Sequence, residues 1–171
     1  MKIKSLTLIL FFFIICFSCK NEKTEQKKDV SNTISLSKNE EKLKALGQKY
    51  FRVWTATQAV GATEKEVENY LNLLTDDIGH MHYPYDKNDS RVAGNKENMR
   101  KGMLYYLGVH TEYKATLSSI AVGHNVIIIK FKSFSKGIHP QTKKEISSTK
   151  NTVEVLEVEK GKISMIRKYR E

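Results

Sequence analysis

The residues best placed to do chemistry are two histidines in the stretch Thr75–Pro84, TDDIGHMHYP. His80 and His82 are two positions apart, so on an extended strand both side chains point to one face. A histidine with a pKa near neutrality is a competent general base, so His82 is a candidate for taking a proton from a substrate or activating water. The alternative is that His82 lines a polar pocket or sits at a solvent-facing strand end. Two imidazoles at this spacing could also begin a metal site, with His110 or Glu154 completing it. No helical His–Glu motif and no cysteine ligand supports that, so no metal is expected. The pair is then a wall whose charge changes with pH. Tyr50 and Trp54 lie four apart and share the inner face of a helix. A buried tyrosine hydroxyl needs a partner, which favours a functional Tyr50, with plain core aromatics as the alternative. Lys130 and Arg167 interrupt late strands and are candidates for binding an anionic group; otherwise they lie on the exposed side of a bent sheet. Tyr106 sits on the apolar side of a helix with Met99 and Met103 and is a candidate ligand contact. Asp76 and Asp77 point to opposite faces if extended, and are expected to cap a helix–strand junction.

These residues need elements to hold them. Leu43, Leu46, Tyr50, Phe51 and Trp54 recur at helical spacing and predict a first helix starting near Asn39. Thr63 followed by Glu66 is a capping-box pattern, and it opens a second helix striped by Val67, Tyr70, Leu71 and Leu74. A first strand is predicted over 77–83, closed by Pro84 and a polar loop. A third helix is predicted over 96–107, ended by Gly108. The rest reads as strands over 112–122, 126–134, 145–159 and 163–169, with turn chemistry at Gly123-His124-Asn125 and Lys160-Gly161. Helix, helix, strand, helix and then four antiparallel strands describe an α+β layer fold: a long bent sheet with helices on one face. Such a sheet encloses a cavity, the usual setting for a small-molecule site.

The first 18 residues read as a leader. Lys2 and Lys4 precede an apolar run over 6–17, which is short for a membrane span of ~20 residues and suits a signal-peptide core. Cys16-Phe17-Ser18-Cys19 resembles a bacterial lipobox, with cleavage before Cys19 and lipid on its thiol. An ordinary secretory signal or an uncleaved anchor is the alternative. The expected location is therefore the cell envelope, as a lipoprotein anchored in the outer membrane or on the periplasmic face of a Gram-negative bacterium. Both cysteines of the chain are used in this segment, which leaves no thiol for a disulfide, nucleophile or metal. Residues 20–38 are polar and mixed in charge, and read as a flexible tether. The domain is then 39–171. With 40% hydrophobic and 28% charged residues, the composition is that of an ordinary globular chain. The formal net charge is +10, of which the leader lysines supply two. The lysines are scattered, with no basic run interleaved with aromatics, so nucleic acid is not an expected partner.

The aromatic first helix (QKYFRVW), the Leu73-Leu74-Thr75-Asp76-Asp77 entry to the first strand, Gly94 before the third helix, and the ending VEVLEVEKGKISMIRKY together resemble the nuclear transport factor 2-like superfamily. The resemblance is to its SnoaL-like and ketosteroid isomerase branches, from about Glu41 onward, with an insertion around 56–63. It implies a cone-shaped α+β barrel, with three helices packed on a strongly bent, mainly antiparallel sheet. It also implies a tendency to dimerise through the sheet. Isomerases, cyclases, hydrolases, dehydratases and non-catalytic binders share this fold, so fold does not settle function. Ketosteroid isomerase uses a tyrosine and a carboxylic acid as an oxyanion hole and a carboxylate as base. Motif alignment places Tyr50 at the tyrosine, Glu154 at the acid and His82 at the base.

The expectation is a lipid-anchored envelope protein that binds a small, partly apolar molecule. It needs no cofactor, and any turnover is isomerase, dehydratase or hydrolase-type acid/base chemistry by His82, Tyr50 and Glu154. His80, Trp54, Tyr106, Lys130 and Arg167 are the expected ligand contacts. The competing expectations are a non-catalytic protein-interaction or dimerisation module and, more weakly, an anionic-polymer binder.

Overall fold

A computed structural model describes residues 22–170, with side chains from Lys38 onward. The leader and Cys19 lie outside the described residues. The chain divides into two compact units, up to Ser35 and from Leu36 onward. Helix α1 runs Glu22–Gln58. Its backbone is thus helical in much of the segment read as a tether, whose Glu, Lys and Gln residues are good helix formers. Extending a helix that is already nucleated costs little.

The unit from Leu36 holds the rest of the fold. Helix α2 (Glu64–Leu71) leads into β1 (Leu74–Tyr83), then α3 (Asn95–Tyr105), β2 (His110–Gly123), β3 (Val126–Ile138), β4 (Glu145–Glu159) and β5 (Lys162–Arg170). The expected capping box opens α2: the Glu66 carboxylate accepts from the Thr63 backbone N–H at 2.9 Å. Lys160 and Gly161 both have positive φ (50° and 78°), the backbone a tight two-residue hairpin demands.

The sheet is open and curled, in the order β1-β5-β4-β3-β2. Four of its strands form an antiparallel run, and β1 joins the edge in parallel with β5, His82 lying beside Lys168. This is the α+β cone expected. The core fills the angle between the helices and the sheet's inner face. It contains Leu43 and Tyr50 of α1, Val67, Tyr70 and Leu71 of α2, and Ile127, Ile129, Phe131, Leu156 and Ile166 of the strands. Helix α1 lies close because of Gly47: a Cβ there would stand 2.9 Å from a methyl of Ile127.

Asp76 and Asp77 do not cap a helix. They lie on β1 and pair with Lys96 and Arg91, at 2.7 and 2.8 Å. The loop after β1 folds back over the outer face of the sheet. A Cβ on Gly79 would collide with both Met165 and the backbone carbonyl of Asp89.

Candidate functional site

A row of polar side chains crosses the inner face of the sheet. His82 of β1 is beside Lys168 of β5, and Lys168 is opposite Glu154 of β4. One step along, Arg170 is opposite Thr152, and Lys150 follows on the same face of β4. Each strand contributes alternate residues to this face, which is why 150, 152 and 154, 168 and 170, and 80 and 82 meet here.

Glu154 is fully buried, a situation a carboxylate tolerates only with partners. Lys168 Nζ lies 2.6 Å from one oxygen, and the Tyr50 hydroxyl donates to the other at 2.8 Å. The Tyr50 and Tyr70 hydroxyls are 3.5 Å apart. The Lys168 ammonium also lies 4.1 Å from the centre of the Trp54 ring, a cation–π contact. Burial, and then the Glu154 charge, holds the Tyr50 and Tyr70 phenols above their ordinary value, so both are neutral donors. Burial pulls the Lys168 ammonium down, opposed by Glu154.

Above this layer is a cavity of about 890 Å³. From the helices it is lined by Val67, Met99 and Met103, and from the sheet by His80, His82, Lys150, Lys168 and Arg170, with Ile146 on the same face of β4 as Lys150. Also lining the cavity, His110 donates its Nδ1–H to the Gln58 carbonyl at 2.9 Å, which fixes the end of α1 to the start of β2. Burial, and then the charges of Arg170, Lys168 and Lys150 together with His80, pull the His82 imidazole down to about 4. Burial and Lys168 lower His80 as well. Both rings are therefore uncharged at neutral pH. The His82 Nε2 and Arg170 Nε atoms are buried with no partner among the described residues.

The predicted site residues separate into three groups. His80, His82, Trp54 and Tyr106 line the cavity. Tyr50 and Glu154 lie beneath the cavity floor and do not line it; Tyr50 donates to Glu154, whereas the ketosteroid isomerase resemblance implies that both donate to a ligand. A free acid donor at Glu154 is replaced by an ion pair with Lys168. Lys130 and Arg167 do not face the cavity. Lys130 is exposed between buried Ile129 and Phe131, on the outer face. Arg167 pairs there with Asp89 at 3.0 Å and with Glu157. The cavity's cations are instead Lys150, Lys168 and Arg170, and Tyr70 and Tyr85 join Tyr106 among its lining phenols. Their signal was present as strand parity around Lys168 and Arg170. It was obscured because Met165, on the opposite face, is also buried, under the β1 loop. Among the described residues, no group of three or more His, Cys, Asp or Glu side chains converges as a metal-ligand set.

No protein-family profile and no curated protein matches the chain. Solved structures do. An NTF2-like protein from Anabaena variabilis aligns with a TM-score of 0.57 at 18% identity, covering 76% of this chain and 90% of the other. A candidate SnoaL-like polyketide cyclase from Shewanella putrefaciens aligns at 0.58 and 11% identity, covering 75% and 88%. An LEH-like epoxide hydrolase from M. tuberculosis aligns at 0.56 and 14% identity, covering 78% and 85%.

Proposed function

The domain has the nuclear transport factor 2-like fold, and on that scaffold we propose that the cavity binds a small, partly apolar molecule on which His82 acts as a neutral acid/base group. The observation that carries this reading is the position of His82: its imidazole lines a cavity that is apolar on one side, with Nε2 buried and unpartnered. An uncharged imidazole can accept a proton from a bound molecule or from a water held against it. Tyr70 and Lys168, which line the cavity, are the polarising groups; Tyr50 and Glu154 hold them in place from below. Polyketide cyclase and epoxide hydrolase descriptions among the similar structures support a small organic ligand. On this reading the chemistry is cofactor-free proton transfer or water addition. The domain is carried to the cell envelope by lipid on Cys19.

Native mass spectrometry of the gently purified full-length protein tests both parts. The expected spectrum shows a chain beginning at Cys19 with acyl mass attached, and a retained small organic mass. His82→Ala should keep that ligand and lose turnover of it. Full turnover by His82→Ala would remove His82 from the chemistry, and an unacylated chain would remove the anchor.

A further inference from the structure

The cavity's polar wall carries more positive charge than its own carboxylate balances. Lys150, Lys168 and Arg170 all stand on it, and Glu154 is committed to Lys168. Among the described residues, neither Arg170 nor Lys150 has a carboxylate within ion-pair distance. They are also neighbours. Arg170 is opposite Thr152, and Lys150 is two residues from Thr152 on the same face, a diagonal cross-strand pair within reach of one small group. Like charges placed side by side in a partly desolvated wall repel, and a buried guanidinium nitrogen without an acceptor is costly. An anion seated between them would relieve both penalties. The histidines beside them are uncharged and can hydrogen-bond to such a group without competing for its charge. The opposite side of the cavity offers Val67, Met99 and Met103 and no cation.

We infer that the ligand is an amphiphile of the carboxylate class, its anionic head held by Arg170 and Lys150 beside His82 and its apolar body directed toward α2 and α3. This rests on the cavity being the binding site. Arginine's planar fork matches a carboxylate with two parallel hydrogen bonds, and lysine adds a compact charge. The sequence candidates for this duty, Lys130 and Arg167, are on the outer face.

The test is isothermal titration of the full-length protein with matched pairs: octanoate against 1-octanol, and 2-naphthoate against 2-naphthalenemethanol. At low ionic strength the acids should bind at least about tenfold more tightly than the alcohols, an advantage that shrinks as salt is added. The double variant Lys150→Gln/Arg170→Gln should bring the acids down to the alcohols and leave the alcohols unchanged. Lys130→Gln should change neither. Equal affinity of acids and alcohols for the unmodified protein would overturn the anionic head and leave the cavity reading standing. Binding of neither class would overturn both. The acid–alcohol comparison needs no variant, so a double variant that fails to fold does not rescue the inference.

Discussion

Glu154 and Lys168 form a buried ion pair at the floor of the proposed site. Both are essentially excluded from water, and each is the other's charge partner. Removing one member of such a pair leaves an uncompensated buried charge, which typically costs ~3–5 kcal/mol, whereas replacing both with apolar residues of similar volume is often neutral. Glu154→Gln should therefore lower the denaturant midpoint severely, and Glu154→Leu/Lys168→Met should recover most of the loss in the same urea titration. Equal damage from the single and double changes would mean that packing, not charge, is what the pair supplies. Tyr50 belongs with this pair because its hydroxyl satisfies the second carboxylate oxygen. The motif resemblance singles out Tyr50 and Glu154 as two donors toward a ligand, whereas in the structure Glu154 accepts from Tyr50 and pairs with Lys168. Sequence reasoning missed Lys168 because a buried lysine is legible only once its strand's inner face is known.

At the scale of elements, helix α1 and strand β3 fit through one missing side chain. Gly47 leaves room for Ile127 and Ile120, whose methyls would stand 2.9 and 3.3 Å from a Cβ. Alanine is favoured over glycine in a helix by ~1 kcal/mol, but overpacking a closed core costs ~1–3 kcal/mol. Ile127 is fully buried, so it has little freedom to give way. Gly47→Ala should therefore be net destabilising by calorimetry, although it improves the helix taken alone. An increase in melting temperature would show that α1 can shift outward without loss. The element order was readable from periodicity and turn residues: Thr63 and Glu66, and Lys160-Gly161, act as punctuation where expected, whereas α3 ends earlier than predicted, at Tyr105 with Tyr106 as its cap, and Gly108 lies in the turn beyond. The faces were less readable. Strand β5 has apolar residues on both sides because the β1 loop covers its outer face, and alternation cannot distinguish two covered faces. That ambiguity placed Arg167 in the cavity in place of Lys168 and Arg170. The helical backbone before Asn39 was likewise hidden by a polar composition that suits either a tether or an exposed helix.

For the molecule as a whole, the burial of two histidines beside a wall of cations links stability to pH. An unfolded His82 titrates near its ordinary 6.5, and in the folded domain it is held at about 4 by burial and by Arg170, Lys168 and Lys150. Between those values the unfolded chain binds a proton that the folded chain refuses, so stability must fall as pH is lowered from about 6.5 toward 4. His80 shifts in the same direction. The depressed carboxylates Asp76 and Asp77 add their own loss at lower pH, as their ion pairs are protonated. Urea denaturation across this range should give a sloping stability profile, flattened between about 6.5 and 4 in His82→Gln. A slope unchanged in that variant would place the coupling elsewhere.

The parallel pairing of β1 with β5 has a consequence in time. Leu74 and Ile163 are partners, as are His82 and Lys168, although they are made at opposite ends of the domain's synthesis. Before β5 is made, β1 has no strand neighbour, the histidines lack Lys168 and Arg170, and Glu154 has no counter-charge. Until β5 pairs, Glu154 keeps its water, and its burial and its ion pair with Lys168 are made in the same step. Two of the three cations on the cavity wall, Lys168 and Arg170, are supplied by residues 162–170, so the proposed site is incomplete until β5 has joined the sheet.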